Sequence, residues 1–304
     1  EVVASPSGIK HQLLERISTK VKMEGITHGV NEMISSGTCA FVDFRENGRK
    51  GIEIVKNALT GAAITPQLYG RFSDAEEMRQ VFQLGDGIGL SSYRQLSAQE
   101  KRFLKDLKHA HEKLIATHVS EVRRDRIILD EILSDGIIDV LVHCTHFERE
   151  DLELIKDARL SIVLCPRSNG YFGVGFPPIN EILRLNIPVC LGTDNFMVNS
   201  PDLFEEMRYL HRISRVFGKG KVGLLSAKDL LTMVTINPAR AFGLDGELGT
   251  IEEGKRANFF MVNLNHPNYY ASEITGESVH ALIVNRTRPE HVSKVWHEGR
   301  VVKP

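Results

Sequence analysis

The 304-residue sequence lacks any apolar run that approaches the roughly 20 residues a helix needs to span a bilayer. It also lacks an excess of one charge, because 38 basic and 39 acidic side chains leave a formal net charge of -1. No long-range electrostatic attraction to nucleic acid or to a membrane surface is therefore indicated. We expect neither of these as a partner, and the composition leaves a homodimer open.

Cysteine is scarce as well. The four cysteines fall within apolar runs, and none forms a C-x-x-C pair. This pattern favours small buried thiols over a disulfide framework, and it predicts a reducing compartment, the cytoplasm. The chain also begins at Glu1, without an initiator methionine or a recognisable signal peptide. Either a leader has been removed, or an N-terminal part precedes Glu1.

Short apolar, β-branched runs recur along the chain, with helical stretches such as residues 97–112 between them. Near-continuous apolar strands that alternate with amphipathic helices are typical of a parallel sheet. This pattern predicts seven strands. They lie at residues 38–44, 61–70, 85–92, 113–120, 138–144, 160–166 and 187–194.

Seven strands fit two architectures. A closed (β/α)8 barrel needs eight strands, whereas an open doubly wound sheet can use seven. The open sheet is disfavoured because no glycine-rich phosphate loop follows any strand. The barrel is favoured because polar residues gather at the carboxyl ends of the strands, where barrel enzymes have their active sites. These residues are Asp43, Ser92, His118, His143, Arg167 and Asp194.

We therefore predict an α/β fold, a (β/α)8 TIM barrel over residues 1–248 whose first strand precedes Glu1. After about residue 248 the pattern changes to turn-linked strands, and no long helix completes another β/α unit. Residues 249–304 are predicted to form the C-terminal part of a small β-sandwich domain.

Two histidines and a cysteine lie within four positions of the segment LVHCTH, at His143, Cys144 and His146. Successive strand residues point to opposite faces, so His143 and Cys144 cannot both face one pocket by simple alternation. His118 ends another strand, with Glu121 three residues later, and Asp194 follows the last strand. Imidazole and carboxylate are ligands of a catalytic Zn²⁺ or Fe²⁺, which lowers the pKa of bound water to near neutrality.

An ordered set of motifs, from about residue 25 to the end, resembles the amidohydrolase superfamily in its cytosine deaminase and chlorohydrolase-like branch. The motifs are GTCAFVDF, THVSE, LVHCTHF, CPRSN, LGTDN with FEEMR, TINPARAFGL and GTIEEGKRANFFMV. The resemblance implies that His118 binds the metal and that Glu121 carries a proton to the substrate ring. It implies that His143 polarises the attacked group or orients the water. It also implies that Asp194 binds the metal and takes a proton from the water.

The same resemblance implies that Arg167, Ser168 and Asn169 of the CPRSN turn, together with Asn199, contact the substrate. Relatives commonly have threonine where this chain has Arg167. The guanidinium could bind a carboxylate or phosphate on the substrate, or it could pair with a nearby acid. The sequence does not decide between these roles.

Two departures from the family pattern concern the metal. The family's first two ligands form an H-x-H pair at the end of the first strand, and the only H-x-H here is His109-Ala110-His111. This pair lies in a predicted helix, where residues two apart diverge, so it is not expected to bind metal. The strand at residues 85–92 ends without a lysine that could bridge two ions. We therefore expect one divalent metal ion, zinc in preference to iron.

The leading functional hypothesis is hydrolytic deamination of an aminated heterocycle, such as a nucleobase, nucleoside or related ring, by metal-activated water. An alternative keeps the site but hydrolyses a cyclic amide or a carbon–halogen bond. A third hypothesis is a non-catalytic barrel that has lost its metal. The role implied for Glu121 favours ring protonation and hence deamination.

Overall fold

A computed structural model of the chain describes residues 8–218, 225–270 and 274–303. Its ten strands are β1 (Ala40–Arg45), β2 (Thr65–Gly70), β3 (Gly87–Leu90), β4 (Leu114–Val119), β5 (Val140–His143), β6 (Ser161–Leu164), β7 (Val189–Leu191), β8 (Phe259–Val262), β9 (Val292–His297) and β10 (Arg300–Lys303).

Thirteen α-helices accompany these strands in the described residues. They are α1 (Ile9–Arg16), α2 (Thr19–Ser35), α3 (Gly48–Ala58), α4 (Ala75–Leu84), α5 (Ala98–His111), α6 (Arg126–Asp135), α7 (Arg149–Asp157), α8 (Pro166–Phe172), α9 (Ile179–Arg184), α10 (Leu203–Phe217), α11 (Ala227–Met233), α12 (Ile236–Ala241) and α13 (Gly276–Arg286).

Strands β1 to β7 form one parallel sheet in sequential order, and each neighbouring pair is connected through at least one helix. All seven strands predicted from the sequence are confirmed. Among the described residues, β1 and β7 form no hydrogen-bonded ladder with each other. The sequential parallel order brings all seven carboxyl ends to one edge, which is the edge where barrel enzymes bind their substrates.

Two apolar clusters fill the two sides of the sheet. The smaller cluster consists of Tyr69, Ala116, Val140 and Phe242, with Phe44 packed against it. The larger cluster joins the other face of the strands to the surrounding helices. These two clusters explain why the strands are apolar on both faces and read as continuous runs.

Local sequence signals define the ends of the outer helices. Helix α5 begins with a capping box, in which Ser97 and Glu100 satisfy each other's backbone N–H groups. Its two histidines, His109 and His111, lie on this outer helix, and the His111 ring stacks on Phe82. The structure therefore agrees that this H-x-H pair does not belong to a strand-end metal site.

The C-terminal part contains an antiparallel sheet in the order β10-β9-β8. The sequence analysis expected strands in this region and no long helix that completes another β/α unit. The strands are confirmed, whereas the helix between β8 and β9 was not expected. Helix α13, 11 residues long, lies between β8 and β9 and packs against α10 and α11. The division into two domains at residue 248 stays a proposal.

All four cysteines are free thiols, and Cys144, Cys165 and Cys190 are buried. None of the helices in the described ranges combines the length and the apolar character that a membrane crossing requires.

The small sheet packs against the turn between α2 and β1. Gly37 has a φ of +90°, and a Cβ atom there would lie 2.6 Å from the Phe260 ring. Lys303 Nζ donates to the Ser35 carbonyl at 2.9 Å beside the same turn. At Gly37 any other residue would therefore be strained by the left-handed backbone, and its Cβ atom would clash with the Phe260 ring.

We predict that Gly37→Ala lowers the free energy of unfolding by about 2–4 kcal/mol, because backbone strain and overpacking both apply. Chemical denaturation measures the change. Gly61 is the matched control, since its φ is +81° but nothing lies within 4 Å of its Cβ position. Gly61→Ala should show only the strain, about 1–2 kcal/mol. Equal losses in the two variants would contradict the packing against Phe260.

Candidate active site

Three side chains that can ligate a metal meet at the carboxyl ends of β4 and β5. His118 lies on β4, Glu121 follows that strand, and His143 is the last residue of β5. Parallel pairing sets His118 beside Val142 and Val119 beside His143. One ligand atom from each of the three side chains lies within 4.8 Å of the others. Parallel register thus brings together residues that are 25 positions apart in sequence.

The two imidazoles are in direct contact. His143 Nε2 lies 3.1 Å from His118 Nδ1 and 3.8 Å from a carboxylate oxygen of Glu121. The Phe44 ring covers His118, with the ring centroids 5.4 Å apart. Burial lowers the pKa of His118 well below its ordinary value, and the neighbouring His143 lowers it further. His118 is therefore a neutral imidazole near pH 7.

One atom of this cluster is buried without a partner. His118 Nε2 has no hydrogen-bond partner in the part of the chain that the structure describes. A buried polar atom without a partner is unfavourable unless something else satisfies it. A neutral imidazole nitrogen beside a second imidazole and a carboxylate is a suitable donor set for a divalent metal ion. The residues present therefore fit a metal.

The backbone around the cluster departs from regular strand geometry. Ser120, His143, Cys144 and Asp194 all have left-handed φ angles, between 49° and 74°. Such angles are uncommon for residues other than glycine, and they concentrate at functional sites. Val140 faces the interior cluster, so strict alternation would turn His143 outward. Because His143 has a left-handed backbone, it departs from this alternation, and its ring points inward toward His118.

The other two members of the LVHCTH segment lie outside this cluster. Cys144 is fully buried among apolar side chains, and burial raises the pKa of its thiol. His146 Nε2 lies 2.8 Å from the carbonyl oxygen of Val174, so its ring ties two loops together. Of the three residues in this segment, His143 is therefore the one that lies in the cluster with His118.

Asp194 follows β7 and is not one of the three clustered residues. Ser168 Oγ and Asn195 Nδ2 both donate to its Oδ2 atom. Burial raises the pKa of the Cys165 thiol, and the negative charges of Asp194, Glu206 and Glu121 raise it further. Asp194 and Glu121 therefore both act electrostatically on this thiol, which follows β6. This location is compatible with the roles predicted for both acids.

Two residues of the CPRSN turn contact other residues of the site. Ser168 and Asn169 are each only 1% exposed. Asn169 Oδ1 lies 3.0 Å from His143 Nδ1, and Asn169 Nδ2 donates to Thr145 Oγ1 at 3.0 Å. Ser168 holds Asp194. The two side chains therefore contact residues of the site, and the substrate contacts expected of them stay a prediction.

Arg167 has the second of the two roles that the sequence left open, an ion pair. Its Nε atom donates to Glu206 at 2.7 Å, and its Nη1 atom pairs with Glu205 and also reaches Ser200 Oγ. Its Nη2 atom donates to the carbonyl oxygens of Ser200 and Asp202. These contacts use all five N–H groups of the guanidinium. The expected substrate contact of Arg167 is therefore replaced by a structural role.

Asn199, the last predicted contact residue, lies in the loop after β7. When its carboxamide oxygen is turned toward Ser168, it accepts from the Ser168 backbone N–H at 3.2 Å. It then donates to the Val198 carbonyl at 3.3 Å. Asn199 therefore braces the turn that carries Ser168 and Asn169.

The sequence analysis missed a charged group at the ends of β1 and β2. Glu46 follows β1 and pairs with Lys10 at 2.8 Å, with His11 at 3.5 Å and with Arg71. Lys10 and Arg71 also lower the pKa of His118, after burial and His143, which places their charges near the cluster. The only sequence signal was the position of Glu46 and Arg71 just after strand ends.

Arg71 retains a free donor. Its Nε atom is buried and has no hydrogen-bond partner among the residues that the structure describes. The same side chain lines a cavity of about 190 Å³, together with Ser91, Ser92 and Gln95. One carboxylate, Glu46, faces three basic groups here. The charged group therefore carries surplus positive charge.

The sequence pattern of the amidohydrolase family matches residues 7–302. The chain belongs to the amidohydrolase family. Its resemblance to the deaminase-like branch is thereby confirmed, as is the expectation of a hydrolase acting on C–N bonds.

Two curated relatives illustrate the family. A putative aminohydrolase of Methanothermobacter thermautotrophicus is 30% identical over 322 residues, which cover 100% of this chain and 79% of the relative. A 5-methylthioadenosine/S-adenosylhomocysteine deaminase of Thermoanaerobacter pseudethanolicus is 27% identical over 290 residues. That alignment covers 84% of this chain and 66% of the deaminase. The chain therefore spans about two thirds to four fifths of the length of these relatives.

Solved structures support the fold. An adenosine deaminase from Xanthomonas campestris with bound zinc superposes with a TM-score of 0.85 at 18% identity. The superposition covers 95% of this chain and 71% of that one. At this identity the likeness shows the fold, and it confirms the predicted TIM-barrel class.

We predict that Arg167→Ala destabilises the protein by about 3–5 kcal/mol at pH 8, because Glu206 would be left buried without its cation. Burial raises the pKa of Glu206 to about 7, while Arg167 opposes the rise. Without Arg167 the pKa of Glu206 in the folded protein is higher still, whereas its pKa in the unfolded chain is ordinary. Folding of the variant then requires uptake of a proton over a wider pH range. Its loss of stability relative to wild type should therefore grow as the pH rises above 7.

Denaturation midpoints at pH 6 and pH 8 measure this difference. Arg212→Ala is the control, because Arg212 is exposed on the same helix as Glu206. A stable Arg167→Ala protein that only binds substrate more weakly would restore the role in substrate binding.

Proposed function

We propose that the protein is a metal-dependent hydrolase that deaminates an aminated heterocycle. The observation that carries this proposal is the His118 side chain, which meets His143 and Glu121 and whose buried Nε2 atom has no partner among the described residues. This group lies at the end of a parallel barrel where active sites form. The names of the related deaminases point to the same reaction class.

We propose that His118 and Asp194 hold one divalent metal ion, zinc in preference to iron. Imidazole and carboxylate donors suit zinc, and the solved adenosine deaminase contains it. When bound, such an ion lowers the pKa of water to near neutrality and so supplies a nucleophile at physiological pH. A further H-x-H pair upstream of Glu1 stays a prediction from the family resemblance.

The protein side chains then have distinct roles. Water adds to the ring carbon that carries the amino group, and the carbon–nitrogen bond breaks to release ammonia. Glu121, whose side chain is 35% exposed, can reach a ring nitrogen and donate a proton to it. Asp194 takes one proton from the attacking water and delivers it to the departing ammonia. The second proton of the water returns to Glu121 as the ring carbonyl forms. His143, whose Nδ1 atom contacts Asn169, polarises the attacked group or orients the water.

The same groups could hydrolyse a cyclic amide or a carbon–halogen bond, with a different leaving group. Glu121 favours deamination, because protonation of a ring nitrogen activates the adjacent amino-bearing carbon. The partnerless His118 nitrogen argues against a non-catalytic barrel. A small heterocyclic substrate and a cytoplasmic location with reduced cysteines complete the proposal.

We further propose that the substrate carries an anionic group away from the reacting ring. Arg167 cannot bind it, because its donors are used within the protein. Arg71 supports this role better, because its Nε atom has no partner among the described residues and its side chain lines a cavity at the ends of β2 and β3. Lys10 adds a second positive charge to the same region.

We predict that Glu121→Gln retains about one zinc ion per chain but loses about 10²–10⁴-fold in turnover, the usual contribution of a general acid–base group. His118→Ala should lose zinc and activity together. Elemental analysis measures the zinc content, and ammonia release from aminated purines, pyrimidines and pterins measures the turnover. Both are measured in the protein as its gene encodes it. Glu150→Gln is the control, since that side chain is 79% exposed. Equal loss of zinc from the Glu121 and His118 variants would make Glu121 a ligand. Consumption of a halogenated or cyclic amide compound without ammonia would favour the alternative reaction.

Arg71→Met is predicted to raise KM for ring substrates with a carboxylate or phosphate by about 10–100-fold, because a hydrogen bond to a charged group is lost. The KM for the same ring without that group should change little. Steady-state kinetics on matched pairs of compounds measures the difference. Arg79→Met, on the outer helix α4, is the control. Equal effects on both members of each pair would contradict an anion contact.

A further inference from the structure

The side chain proposed to carry the proton has little of its own to hold it in place. Among the described residues the Glu121 carboxylate accepts no hydrogen bond, and His143 Nε2 lies 3.8 Å from it. Glu121 belongs to the loop of residues 120–125 between β4 and α6, here called the Glu121 loop. A general acid must stay within hydrogen-bond reach of the group it protonates. The position of this carboxylate therefore depends on the backbone of its loop.

The Glu121 loop is closed on itself and tied to the loop after β3. Ser120 Oγ accepts from the Asp125 N–H at 2.9 Å, and the Ser120 carbonyl accepts from the His146 N–H at 3.1 Å. Arg94 Nη2 donates to both carboxylate oxygens of Asp125 at 2.7 Å. The Arg94 side chain is 51% exposed, and ion pairs this open to solvent contribute little.

A second ion pair ties the Glu121 loop to helix α7, and its acid is fully buried. Arg124 donates to the two carboxylate oxygens of Asp151 through Nε at 2.8 Å and through Nη2 at 3.0 Å. Its Nη1 atom donates to Glu148 at 2.6 Å. The side chain of Asp151 is 0% exposed. Because a two-pronged contact fixes direction as well as distance, this pair holds the loop more firmly than the pair of Arg94.

Asp151 is itself held in place. It also accepts from the Glu148 backbone N–H at 2.8 Å and from Arg126 Nη1 at 3.2 Å. Burial alone would raise the pKa of Asp151, but its hydrogen bonds and the charge of Arg124 hold that pKa below the ordinary value. The carboxylate is therefore charged near pH 7, and a buried charge keeps its partners because losing one is costly.

We infer that Asp151 and Arg124 are positioning residues that place the Glu121 carboxylate over the site. The pair joins the loop after β4 to the helix after β5, and these are the strands that carry His118 and His143. The catalytic part of this inference rests on the proposed function. The anchoring of the loop by Asp151 does not, so the two are tested separately.

Limited trypsin digestion tests the anchor without substrate or metal in the protein as its gene encodes it. Cleavage after the exposed Arg123 requires local opening of the Glu121 loop. We expect Arg124→Met to accelerate this cleavage by about 10–100-fold, as for loss of a hydrogen bond to a charged group. Cleavage after Arg102, in the outer helix α5, reports global unfolding and is the internal reference.

Arg126→Met is the matched control. It removes a contact to the same carboxylate, but Arg126 is the first residue of α6 and lies outside the Glu121 loop. Cleavage after Arg123, relative to cleavage after Arg102, should stay as in wild type. Unchanged relative cleavage in Arg124→Met, or equal acceleration in the two variants, overturns the anchor.

Kinetics of the zinc-loaded protein tests the positioning role. Arg124→Met should lower kcat for ammonia release by about 10–100-fold with little change in KM, because small misplacements of a catalytic group are this costly. In a Glu121→Gln background the same substitution should cost nothing further, since its effect passes through Glu121. A residue that only stabilises the fold would lower the activity of both backgrounds by the same factor, and that result overturns the positioning role.

The remaining outcomes separate the inference from the proposed function. If Arg124→Met does not fold, Arg124→Lys is the second variant, because an ammonium keeps the charge beside Asp151 but gives up the fork. Faster cleavage with unchanged kcat overturns the positioning role. Faster cleavage in a protein whose wild type releases no ammonia from any ring compound supports the anchor. It contradicts the proposed function and, with it, the role of Glu121 on which the positioning rests.

Discussion

The contact between two buried imidazoles on neighbouring parallel strands is the interaction on which the site depends. The ring centroids of His118 and His143 are 5.0 Å apart, and burial keeps His118 neutral. Two imidazole rings that face each other through nitrogen can place only one proton between them. The other nitrogen of each ring must therefore be satisfied from elsewhere. For His143 the partner is Asn169, and for His118 it is the position proposed for a metal.

The turn after β6 supplies that support with three consecutive residues. Asn169 binds His143, Ser168 binds Asp194, and Arg167 ties the turn to the buried Glu206 of helix α10. Because neighbours in sequence brace the ends of different strands, the relative positions of these ends are fixed by a few bonds. Catalytic geometry requires positions within about 0.5 Å, which isolated loops rarely provide. The ion pair of Arg167 thereby serves the site without contacting substrate.

The sequence predicted the parts of this structure that follow from local periodicity. All seven strands of the barrel sheet, and His118 and His143 at their ends, could be found because apolar runs are a local signal. The direction of the Arg167 side chain could not, because its partner Glu206 lies 39 positions away. The left-handed backbone of His143 could not be predicted, because no local sequence pattern marks which histidine adopts it. Helix α13 was missed because its short segment lies among strand-like residues.

Charge is distributed unequally around the mouth of the barrel. Glu121 and Asp194 lie on the side of β4 to β7, whereas Lys10 and Arg71 lie on the side of β1 and β2. Glu46 is a single carboxylate among three basic groups, so it holds them together without cancelling their charge. A substrate with an anionic tail would be attracted to the basic side, and its ring would then lie toward the acids. The field of the mouth would orient such a substrate before any hydrogen bond forms.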